Sequence, residues 1–393
     1  MENKIKILYI LFTDIRTGAG TEKAVYYYIK NANTTKYDIT VMDTNLMPGG
    51  QRITDEELTV IKNKAKFIKI KDYSNYLDSI KNKIYFYFMN IFLTPILFYI
   101  LKYTKYKNTI KSIGKFDIIY LFNNKYSYIF NNASLVVGSN HGAFDNINSF
   151  RQKILAILIN YHLIEHKINA YNFFTFNGEV KKYLNNKNII FSDNGVDTDL
   201  YFPNNHINNT TKLLFVARLE ESKGIKILID IYNILIEDIK NIELNIVGSG
   251  SFENEIKLLS QKDKNIKFFT HVSENELSEI YRSCDIFVYP TLGDTFSLVV
   301  LQALSSGLKV VTTNIMKPVY SKFEKFNAIK FVEPNAKQMA NEIIKMLDVN
   351  INKNDLYQYI INHLSWKKMA ENLYDQFDKL LKTHKEPIKN KNR

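Results

Sequence analysis

Short apolar runs alternate with longer helical stretches through the N-terminal half of the chain. An apolar run at 5–12 leads into a glycine turn at 18–20 and then into a helical pattern through Val25 and Tyr28. Further strands are predicted at 38–42, 116–121, 135–139 and 172–175. Because these strands are mainly apolar and alternate with helices, they indicate a parallel sheet that is covered on both faces.

The C-terminal half repeats this pattern after a polar, asparagine-rich stretch at 203–211. A strand at 213–217 is followed by a helix at 224–235, and further strands are predicted at 242–247, 266–269, 286–289 and 309–312. We therefore predict an α/β protein with two doubly wound, Rossmann-like domains. The predicted boundaries are 1–200 for the first domain, 201–211 for a linker, 212–365 for the second domain and 366–385 for a final helix. Such sheets bind ligands at the carboxyl ends of their strands, and two of them facing a cleft would suit an enzyme with two substrates.

The segment 84–101 consists of eighteen residues without a charge. Its length is enough to cross a bilayer. A single crossing would separate strands that belong to one predicted sheet, so we reject a transmembrane span. Two interpretations stay open, a buried helix bent at Pro95 and a helix that lies in the membrane interface. The lysines and tyrosines that flank the segment across 81–107 favour docking on an anionic membrane surface.

The net charge of +12 fits a nucleic acid, an anionic membrane or an anionic small substrate as partner. The lysines are dispersed and the sequence shows no nucleic-acid-binding motif, so we expect no nucleic acid partner. The single cysteine, Cys284, excludes an internal disulfide framework and fits a reducing compartment. We interpret it as a small packed residue. The first apolar run is too short for an export signal, which favours a cytoplasmic location.

Two cations stand between a predicted strand and a predicted helix in the second domain. Arg218 and Lys223 follow the strand at 213–217 and precede the helix at 224–235. Fixed cations at such a junction can clamp a diphosphate together with the N-terminus of the helix. The alternative interpretation is ordinary surface charge on a loop.

A polar loop after the strand at 286–289 carries a second group of candidates. Asp294 precedes a helix that is predicted to start near Ser297, and Gln302 lies about one turn inside that helix. Asp294 can accept hydrogen bonds from sugar hydroxyls, Gln302 can reach a ribose, and the N–H groups at the helix start can bind an anion. The alternative for Asp294 is plain N-terminal capping.

Four sequence blocks together resemble one known family. They are Asn194-Gly195-Val196-Asp197 with Tyr201-Phe202-Pro203, Val216-Ala217-Arg218-Leu219 with Lys223-Gly224, Ile246-Val247-Gly248-Ser249-Gly250, and the stretch from Asp294 to Gln302. Their order and spacings resemble glycosyltransferase family 4, the large retaining group with the GT-B fold. The resemblance covers nearly the whole chain. It implies two Rossmann-like domains that face a cleft and a last helix, near Trp366, that crosses back to the first domain.

The resemblance also implies roles for particular residues. Arg218 and Lys223 would neutralise the donor diphosphate as it leaves. Asp294 would contact the transferred sugar, and Gln302 would contact the nucleotide ribose. His141, which follows a predicted strand, would face the transferred sugar. The further donor-binding residues that the resemblance implies are Gly20, Gly248, Gly250, Val272, Thr295, Phe296, Ser297 and Leu298.

Three positions depart from the family pattern. Asp294 is one methylene shorter than the usual glutamate, Gln302 is neutral where the family has a second glutamate, and Ser297 replaces a glycine. A neutral amide loses the charge-assisted hydrogen bond that a carboxylate accepts. These departures leave open a noncatalytic protein that binds nucleotide sugars or glycans.

We predict a retaining hexosyltransferase that needs neither a metal ion nor another cofactor. Its donor would be a UDP-, GDP- or ADP-linked sugar, and its acceptor a hydroxyl of a glycan or a lipid-linked glycan. The expected setting is cell-surface polysaccharide synthesis, with the protein in the cytoplasm or peripheral on the inner face of the cell membrane.

Two other chemistries match short patterns in the sequence. Asp197-Thr198-Asp199 has the Asp-x-Asp pattern of metal-dependent glycosyltransferases, but it falls inside the inter-domain block rather than in a nucleotide loop, so we expect no metal there. A nicotinamide-dependent oxidoreductase would use Gly18, Gly20 and Asp43 as a dinucleotide fingerprint. Lys23 replaces the third glycine of that fingerprint, which disfavours the oxidoreductase.

Overall fold

The computed structural model describes residues 4–11, 20–43, 53–69, 112–122, 133–141, 170–174, 189–191, 193–204, 209–294 and 296–385. The chain divides into two compact units, one formed by Met1–Ser192 with Met369–Arg393 and the other by Asp193–Lys368. The apolar segment 84–101 lies outside the described residues, so both interpretations of it stay predictions. Among the helices that are described, none has the length and apolar character needed to cross a membrane.

Within the described residues, the first unit contains a seven-stranded parallel sheet. Its elements are β1 (Ile5–Leu11), α1 (Gly20–Lys30), β2 (Tyr37–Asp43), α2 (Asp55–Lys64), β3 (Lys66–Lys69), β4 (Phe116–Phe122), β5 (Ala133–His141), β6 (Ala170–Phe174) and β7 (Ile189–Phe191). The strand order is β3-β2-β1-β4-β5-β6-β7. All residues from Ile7 to Leu11 on the central strand β1 are 0% exposed, which explains why this part of the strand carries no charge. Lys6, near the start of β1, is exposed.

The second unit is built in the same way around a six-stranded parallel sheet. Its elements are β8 (Thr211–Val216), α3 (Ile225–Asp238), β9 (Ile242–Val247), α4 (Glu253–Lys262), β10 (Ile266–Phe269), α5 (Glu274–Ser283), β11 (Ile286–Tyr289), α6 (Leu298–Ser305), β12 (Lys309–Thr313), α7 (Lys317–Tyr320), β13 (Ile329–Val332), α8 (Ala336–Leu347) and α9 (Lys353–Leu364). The strand order is β10-β9-β8-β11-β12-β13.

In both sheets the strand order reverses beside the first strand of the unit. The reversal lies between β1 and β4 in the first sheet and between β8 and β11 in the second. The connections on the two sides of such a point run in opposite directions, so the loops at the carboxyl ends of the two strands diverge and leave a crevice. The crevice of the second sheet is therefore bordered by the loops that carry Arg218, Lys223 and Asp294.

The last helix, α10 (Trp366–Lys385), returns the chain to the first unit. Tyr9 OH donates to Tyr374 OH at 3.2 Å, and Tyr374 OH donates to the carbonyl of Tyr28 at 3.2 Å. Tyr37 OH donates to Asp378 Oδ1 at 3.0 Å, and its ring stacks on Tyr374 with centroids 4.7 Å apart. The predicted return of the final helix to the first domain is confirmed by these contacts.

Three strands were not predicted from the sequence, and all three lie at sheet edges. β3 and β7 are the two edges of the first sheet, and β13 is one edge of the second. These strands are only four, three and four residues long. Lys66 and Lys69 form the two ends of β3, and Lys330 interrupts β13, because an edge strand is covered less completely than a central one. Short or interrupted runs give a weak apolar signal, so the pattern missed them.

The segment 193–204 packs within the second unit. Val196 N–H donates to the carbonyl of Leu364 at 2.9 Å, and Ser305 Oγ donates to the carbonyl of Tyr201 at 2.6 Å. Tyr357 OH donates to the carbonyl of Thr198 at 2.6 Å. The second unit therefore begins at Asp193, ahead of the linker that the sequence predicted at 201–211, because the polar backbone of this segment finds its partners there.

Candidate functional site

A glycine in a left-handed conformation fixes the loop between β8 and α3. Gly224 has a φ of 78°, a region in which a side chain is strained. A Cβ atom at this position would lie 1.9 Å from the carbonyl oxygen of Pro290. The loop that carries Arg218 and Lys223 therefore lies directly against the start of the loop that carries Asp294.

Hydrogen bonds join the same two loops. Leu292 N–H donates to the carbonyl of Ser222 at 2.9 Å, and Thr291 Oγ1 donates to the same carbonyl at 3.3 Å. Thr313 Oγ1, at the end of β12, donates to the carbonyl of Thr291 at 2.8 Å. Because the loops satisfy one another's polar groups, their backbone is fixed at the carboxyl edge of the sheet.

Lys223 and Asp294 form an ion pair that bridges the point where the strand order reverses. Lys223 Nζ lies 2.8 Å from Asp294 Oδ2 and 3.4 Å from the carbonyl oxygen of Gly293. Tyr289 OH donates to the same Asp294 oxygen at 2.6 Å. The side chains of Lys223 and Asp294 are 14% and 19% exposed, so the pair is largely desolvated but still open to a ligand. Electrostatic interactions at such a place are stronger than in bulk water.

Tyr289 serves this pair as a hydrogen-bond donor. Burial raises the pKa of Tyr289 well above its ordinary value, and the negative charge of Asp294 raises it further. The hydroxyl therefore keeps its proton at neutral pH and can donate it to the carboxylate. The backbone behind it is also held, since Thr312 Oγ1 donates to the carbonyl of Tyr289 at 2.8 Å.

Arg218 stands beside the glycine turn that follows β9. Gly248 has a φ of 146°, and a Cβ atom there would lie 1.9 Å from the carbonyl oxygen of Ala217. On the other side of Arg218, Leu219 N–H donates to the carbonyl of Ser249 at 2.9 Å. The turn thus packs against the backbone on both sides of Arg218. The Arg218 side chain is exposed, so its guanidinium donors can be reached by a diphosphate.

Glu220 ties the glycine turn to the loop after β8 through its side chain. Its carboxylate accepts hydrogen bonds from Ser251 Oγ at 2.8 Å and from Ser251 N–H at 3.2 Å. These hydrogen bonds lower the pKa of Glu220, and the positive charge of Arg218 lowers it further. A Cβ atom on Gly250 would lie 2.6 Å from the carbonyl oxygen of Leu219, so the two loops are in contact along their length.

Helix α6 is capped at Ser297 and not at Asp294. Ser297 is the N-cap residue, although its side chain makes no capping hydrogen bond among the described residues. The interpretation of Asp294 as an N-cap is wrong, because its carboxylate is engaged by Lys223 and Tyr289. Tyr320 OH donates to the carbonyl of Ser297 at 2.7 Å. Val300 N–H donates to the same carbonyl at 3.0 Å. Together the two bonds fix the peptide between Ser297 and Leu298, where the first turn of α6 begins.

Gln302 lies half-buried on α6, where a tyrosine from α5 orients its amide. Tyr281 OH lies 3.4 Å from Gln302 Oε1 and 3.2 Å from the carbonyl oxygen of Val299, and it donates toward both. Burial raises the pKa of Tyr281 well above its ordinary value, so the hydroxyl keeps its proton. The amide oxygen of Gln302 is thereby occupied in part, which leaves its NH₂ group as the donor toward a ligand.

The other predicted site residues lie on the loops and element ends around these two loops or in the first unit. Val272 is half-exposed in the loop after β10, and Phe296 has its ring centroid 5.7 Å from that of Tyr320. Gly20 is the first residue of α1, the helix that follows β1. His141 is the last residue of β5, at the carboxyl end of that strand. The His141 side chain and Thr295 lie outside the described part of the structure.

The Asp-x-Asp pattern at 197–199 forms a local turn. Asp199 N–H donates to Asp197 Oδ1 at 3.1 Å, and the carbonyl of Asp197 accepts from the N–H groups of Leu200 and Tyr201 at 3.2 and 2.8 Å. An aspartate that bonds the backbone two residues on is typical of such turns. The turn therefore explains why aspartates stand at 197 and 199. That the protein needs no metal ion stays a prediction.

The sequence interpretation missed three tyrosines that direct their hydroxyls at predicted site residues. They are Tyr289, Tyr281 and Tyr320, which bond Asp294, Gln302 and Ser297. In the sequence Tyr289 reads as part of an apolar run, and Tyr281 and Tyr320 follow apolar residues, so none of the three is marked as a polar site residue. Tyr289 carried a usable signal, since it is the last residue of a buried strand, where a polar tip reaches the ligand-binding edge.

The candidate site lies in a region that a family model recognises. The model of glycosyl transferases group 1 matches residues 197–363, and the predicted resemblance is confirmed at the level of this group. A capsular polysaccharide biosynthesis glycosyltransferase, CapM, from Staphylococcus aureus is 29% identical over 113 residues, which are 28% of this chain and 29% of that protein. The first curated relatives are matched over only 40% and 42% of their own length.

Solved structures resemble the chain over nearly its whole length. A glycosyltransferase from Rickettsia africae matches with a TM-score of 0.69 at 17% identity, covering 97% of this chain and 99% of that one. Anabaena HepE, solved in complex with UDP and glucose, matches with a TM-score of 0.62 at 13% identity, covering 95% and 99%. The predicted GT-B fold, with two Rossmann-like parallel-sheet domains, is confirmed.

Proposed function

We propose that this protein is a retaining glycosyltransferase of family 4, which moves a sugar from a nucleotide-sugar donor to an acceptor hydroxyl. One observation carries the proposal. Arg218, Lys223 and Asp294 follow β8 and β11, the two strands between which the order of the second sheet reverses. Doubly wound sheets bind their ligands at this position.

The groups gathered there suit a diphosphate. Lys223 and Arg218 supply fixed positive charge, and the first turn of α6 supplies backbone N–H groups. When the sugar–phosphate bond breaks, negative charge accumulates on the diphosphate, and donors that are already in place stabilise it. The proposal assigns this stabilisation to Arg218, Lys223 and α6, without a metal ion or another cofactor.

In the proposed reaction the bond between the anomeric carbon and the donor phosphate oxygen breaks. The acceptor oxygen bonds to the anomeric carbon from the same face, so the configuration is retained. The proton of the acceptor hydroxyl passes to the departing phosphate oxygen, and the products are the glycosylated acceptor and a nucleoside diphosphate. Asp294 accepts hydrogen bonds from the sugar, and Gln302 contacts the ribose. Val272, Gly20 and His141 keep the roles that the family resemblance implies.

A uridine nucleotide is the first donor to test among the UDP-, GDP- and ADP-linked sugars. The complex of Anabaena HepE with UDP and glucose supports this choice, because that protein has the same fold. The acceptor is proposed to be a glycan or a lipid-linked glycan of the cell surface, which the name of CapM supports. A peripheral position on the inner face of the cell membrane rests on the flanks of the apolar segment at 81–107.

A thermal-shift screen against UDP, GDP, ADP and their glucose or mannose conjugates tests the donor site. We expect stabilisation by one nucleotide class, amounting to about 2.7 kcal/mol at a ligand concentration a hundredfold above Kd. The double variant with Arg218→Ala and Lys223→Ala should lose this stabilisation. Lys226→Ala is the matched control, since Lys226 lies in the same region but is more than half exposed and pairs with Glu221 at 3.0 Å.

Unchanged stabilisation in the double variant would contradict the phosphate assignment. Release of nucleotide from the sugar conjugate, measured with and without a panel of glycan acceptors, then separates a transferase from a binding protein. Tight binding with no release in any mixture would favour the noncatalytic alternative. Flotation with anionic and with neutral vesicles tests the membrane part, and a failure to bind anionic vesicles would refute that part alone.

A further inference from the structure

Two donors of the described structure bond the same oxygen atom of Asp294. Its Oδ2 accepts from Lys223 Nζ at 2.8 Å and from Tyr289 OH at 2.6 Å. The tyrosine is 1% exposed and comes from the last position of β11, so this donor cannot move far. The lysine is longer, comes from the loop before α3 and also bonds the carbonyl of Gly293. The carboxylate is therefore anchored to one rigid and one mobile partner.

We propose that Asp294 discriminates between the two nucleotides that the site meets, the sugar-bearing donor and the nucleoside diphosphate that remains after transfer, and that Tyr289 positions it to do so. This inference rests on the proposed function. It assigns to Asp294 an electrostatic task in addition to its proposed contact with the sugar, and it gives Tyr289 a role that neither the sequence patterns nor the comparisons indicate.

The discrimination follows from the distance between Asp294 and Lys223. A phosphate oxygen that binds Lys223 must lie within a few ångströms of a carboxylate, because the two side chains are in contact. Like charges at such separations repel strongly where water is partly excluded. A sugar on the terminal phosphate offers hydroxyl donors to the carboxylate and removes one ionisable phosphate oxygen. A bare nucleoside diphosphate offers no hydroxyl there and carries the additional charge.

Tyr289 keeps the carboxylate in place when the lysine is engaged by phosphate. A lysine has three N–H donors and a flexible stem, so a diphosphate can turn part of them away from Asp294. The hydroxyl of Tyr289 stays directed at Oδ2, since the strand behind it is bonded to Thr312. The carboxylate then remains close to the phosphates, where it weakens the binding of the product and favours its release.

Calorimetric titration of three variants tests the inference, with UDP and UDP-glucose, GDP and GDP-mannose, or ADP and ADP-glucose as probes. Asp294→Asn removes the charge but keeps the shape and the acceptor for Tyr289. We expect it to bind the nucleoside diphosphate about tenfold more tightly, with unchanged or weaker binding of the sugar nucleotide. Tyr289→Phe should shift the ratio of the two affinities in the same direction by about threefold. Asp230→Asn, on the exposed face of α3, controls for the change in net charge and should leave the ratio unchanged.

Asp294→Glu separates the effect of charge from that of side-chain length, because it keeps the charge and lengthens the side chain. It should retain the discrimination against the nucleoside diphosphate even if turnover changes. Equal gains for both ligands in Asp294→Asn would mean that Asp294 is only a counter-ion of Lys223, and would overturn the inference. Unchanged or weaker binding of the nucleoside diphosphate would overturn it as well. The proposed function fails separately, and the inference with it, if the wild-type protein binds none of the six nucleotides.

Discussion

The hydroxyl of Tyr320 donates a 2.7 Å hydrogen bond to the backbone carbonyl of Ser297, the residue that caps α6. Tyr320 is 1% exposed, and burial raises its pKa well above the ordinary value, with the charges of Asp294 and Asp193 raising it further. The donor of this bond stays protonated at neutral pH. The first turn of α6, which is the proposed anion site, is therefore anchored to α7 through one side chain.

Replacing this tyrosine should affect ligand binding as well as folding. Tyr320→Phe removes one of two donors to the Ser297 carbonyl, which also accepts from Val300 N–H at 3.0 Å. We expect the free energy of unfolding to fall by about 1 kcal/mol. Nucleotide affinity should fall several-fold, because the first peptide of α6 is no longer tied to α7. Urea unfolding and calorimetric titration measure the two effects.

Tyr232→Phe is the matched control for Tyr320→Phe. Tyr232 OH donates to Asp263 Oδ2 at 2.7 Å, and this bond joins α3 to the end of α4 on the flank of the unit. The control should lose a comparable amount of stability but keep the nucleotide affinity of the wild type. Equal affinities in the two variants would show that the bond to Ser297 has no part in binding.

Two glycines of the site should respond differently to alanine. Gly224→Ala places a Cβ atom 1.9 Å from the carbonyl oxygen of Pro290 and forces a φ of 78° on a residue with a side chain. We expect a loss of roughly 2 kcal/mol or more in the free energy of unfolding. Gly293→Ala meets no atom within 4 Å and should change stability little. Thermal denaturation of both variants decides the point, and equal melting temperatures would contradict the tight packing of the loop after β8 on β11.

The neutral side chain at position 302 should limit the affinity for the donor. Gln302→Glu restores a charged acceptor for the ribose, and Tyr281 OH, 3.4 Å from the amide oxygen, can still donate to it. A hydrogen bond to a charged group is stronger by about 1 kcal/mol than a neutral one, so we expect Kd for the nucleotide to fall about fivefold. Gln302→Ala should weaken binding. If both substitutions leave Kd unchanged, the side chain does not contact the nucleotide.

The pH dependence of stability should contain a contribution from the buried thiol. Burial raises the pKa of Cys284 to about 12, whereas the thiol of an unfolded chain ionises near 9.0. Because the folded state holds the proton more tightly, the contribution is complete below a pH of about 9 and is lost as the pH rises toward the folded pKa. Denaturant titrations across this window should show a falling free energy of unfolding.

Cys284→Ala should reduce that fall without abolishing it, because buried tyrosines add to it. Burial also raises the pKa of Tyr37 to about 12, so its contribution has the same sign. In the native wild-type protein the thiol should react slowly with a disulfide reagent at mildly alkaline pH, and rapidly once urea is added. Rapid labelling of the native protein would contradict the burial of this residue.

The central strands of each sheet could be predicted from the sequence, whereas three of the four edge strands in the described structure could not. β9 and β11 have the bounds that the apolar pattern predicts, because central strands are covered on both faces. The edge strand β10 is the exception, since it also has its predicted bounds although it contains Lys267. β3, β7 and β13 are short edge strands, and two of them include lysines, so no apolar run marks them. The start of the second unit at Asp193 could not be predicted, because it depends on backbone hydrogen bonds, which leave no periodic pattern in the sequence.

The charged members of the site were predictable for a related reason. Arg218, Lys223 and Asp294 lie in the polar loops that follow apolar strands, and charged residues in such loops stand out in the pattern. Tyr289, which bonds Asp294, and Tyr320, which bonds Ser297, do not stand out. Each ring is buried, and the contact of its hydroxyl is visible only in the structure. The ion pair between Lys223 and Asp294 joins residues that are distant in sequence, and only the topology of the sheet brings them together.

The return of α10 to the first unit determines the order in which the two units can complete their folding during synthesis at the ribosome. The second unit comprises Asp193–Lys368, so all of its residues are synthesised before most of α10, and it can fold while the chain is still growing. The first unit starts earlier but lacks Tyr374 and Asp378, the partners of Tyr9 and Tyr37, until α10 has been synthesised. The unit that is synthesised first therefore completes its folding after the second one. In a chain that stops before Met369, Tyr9 and Tyr37 of the first unit would lack their contacts with α10.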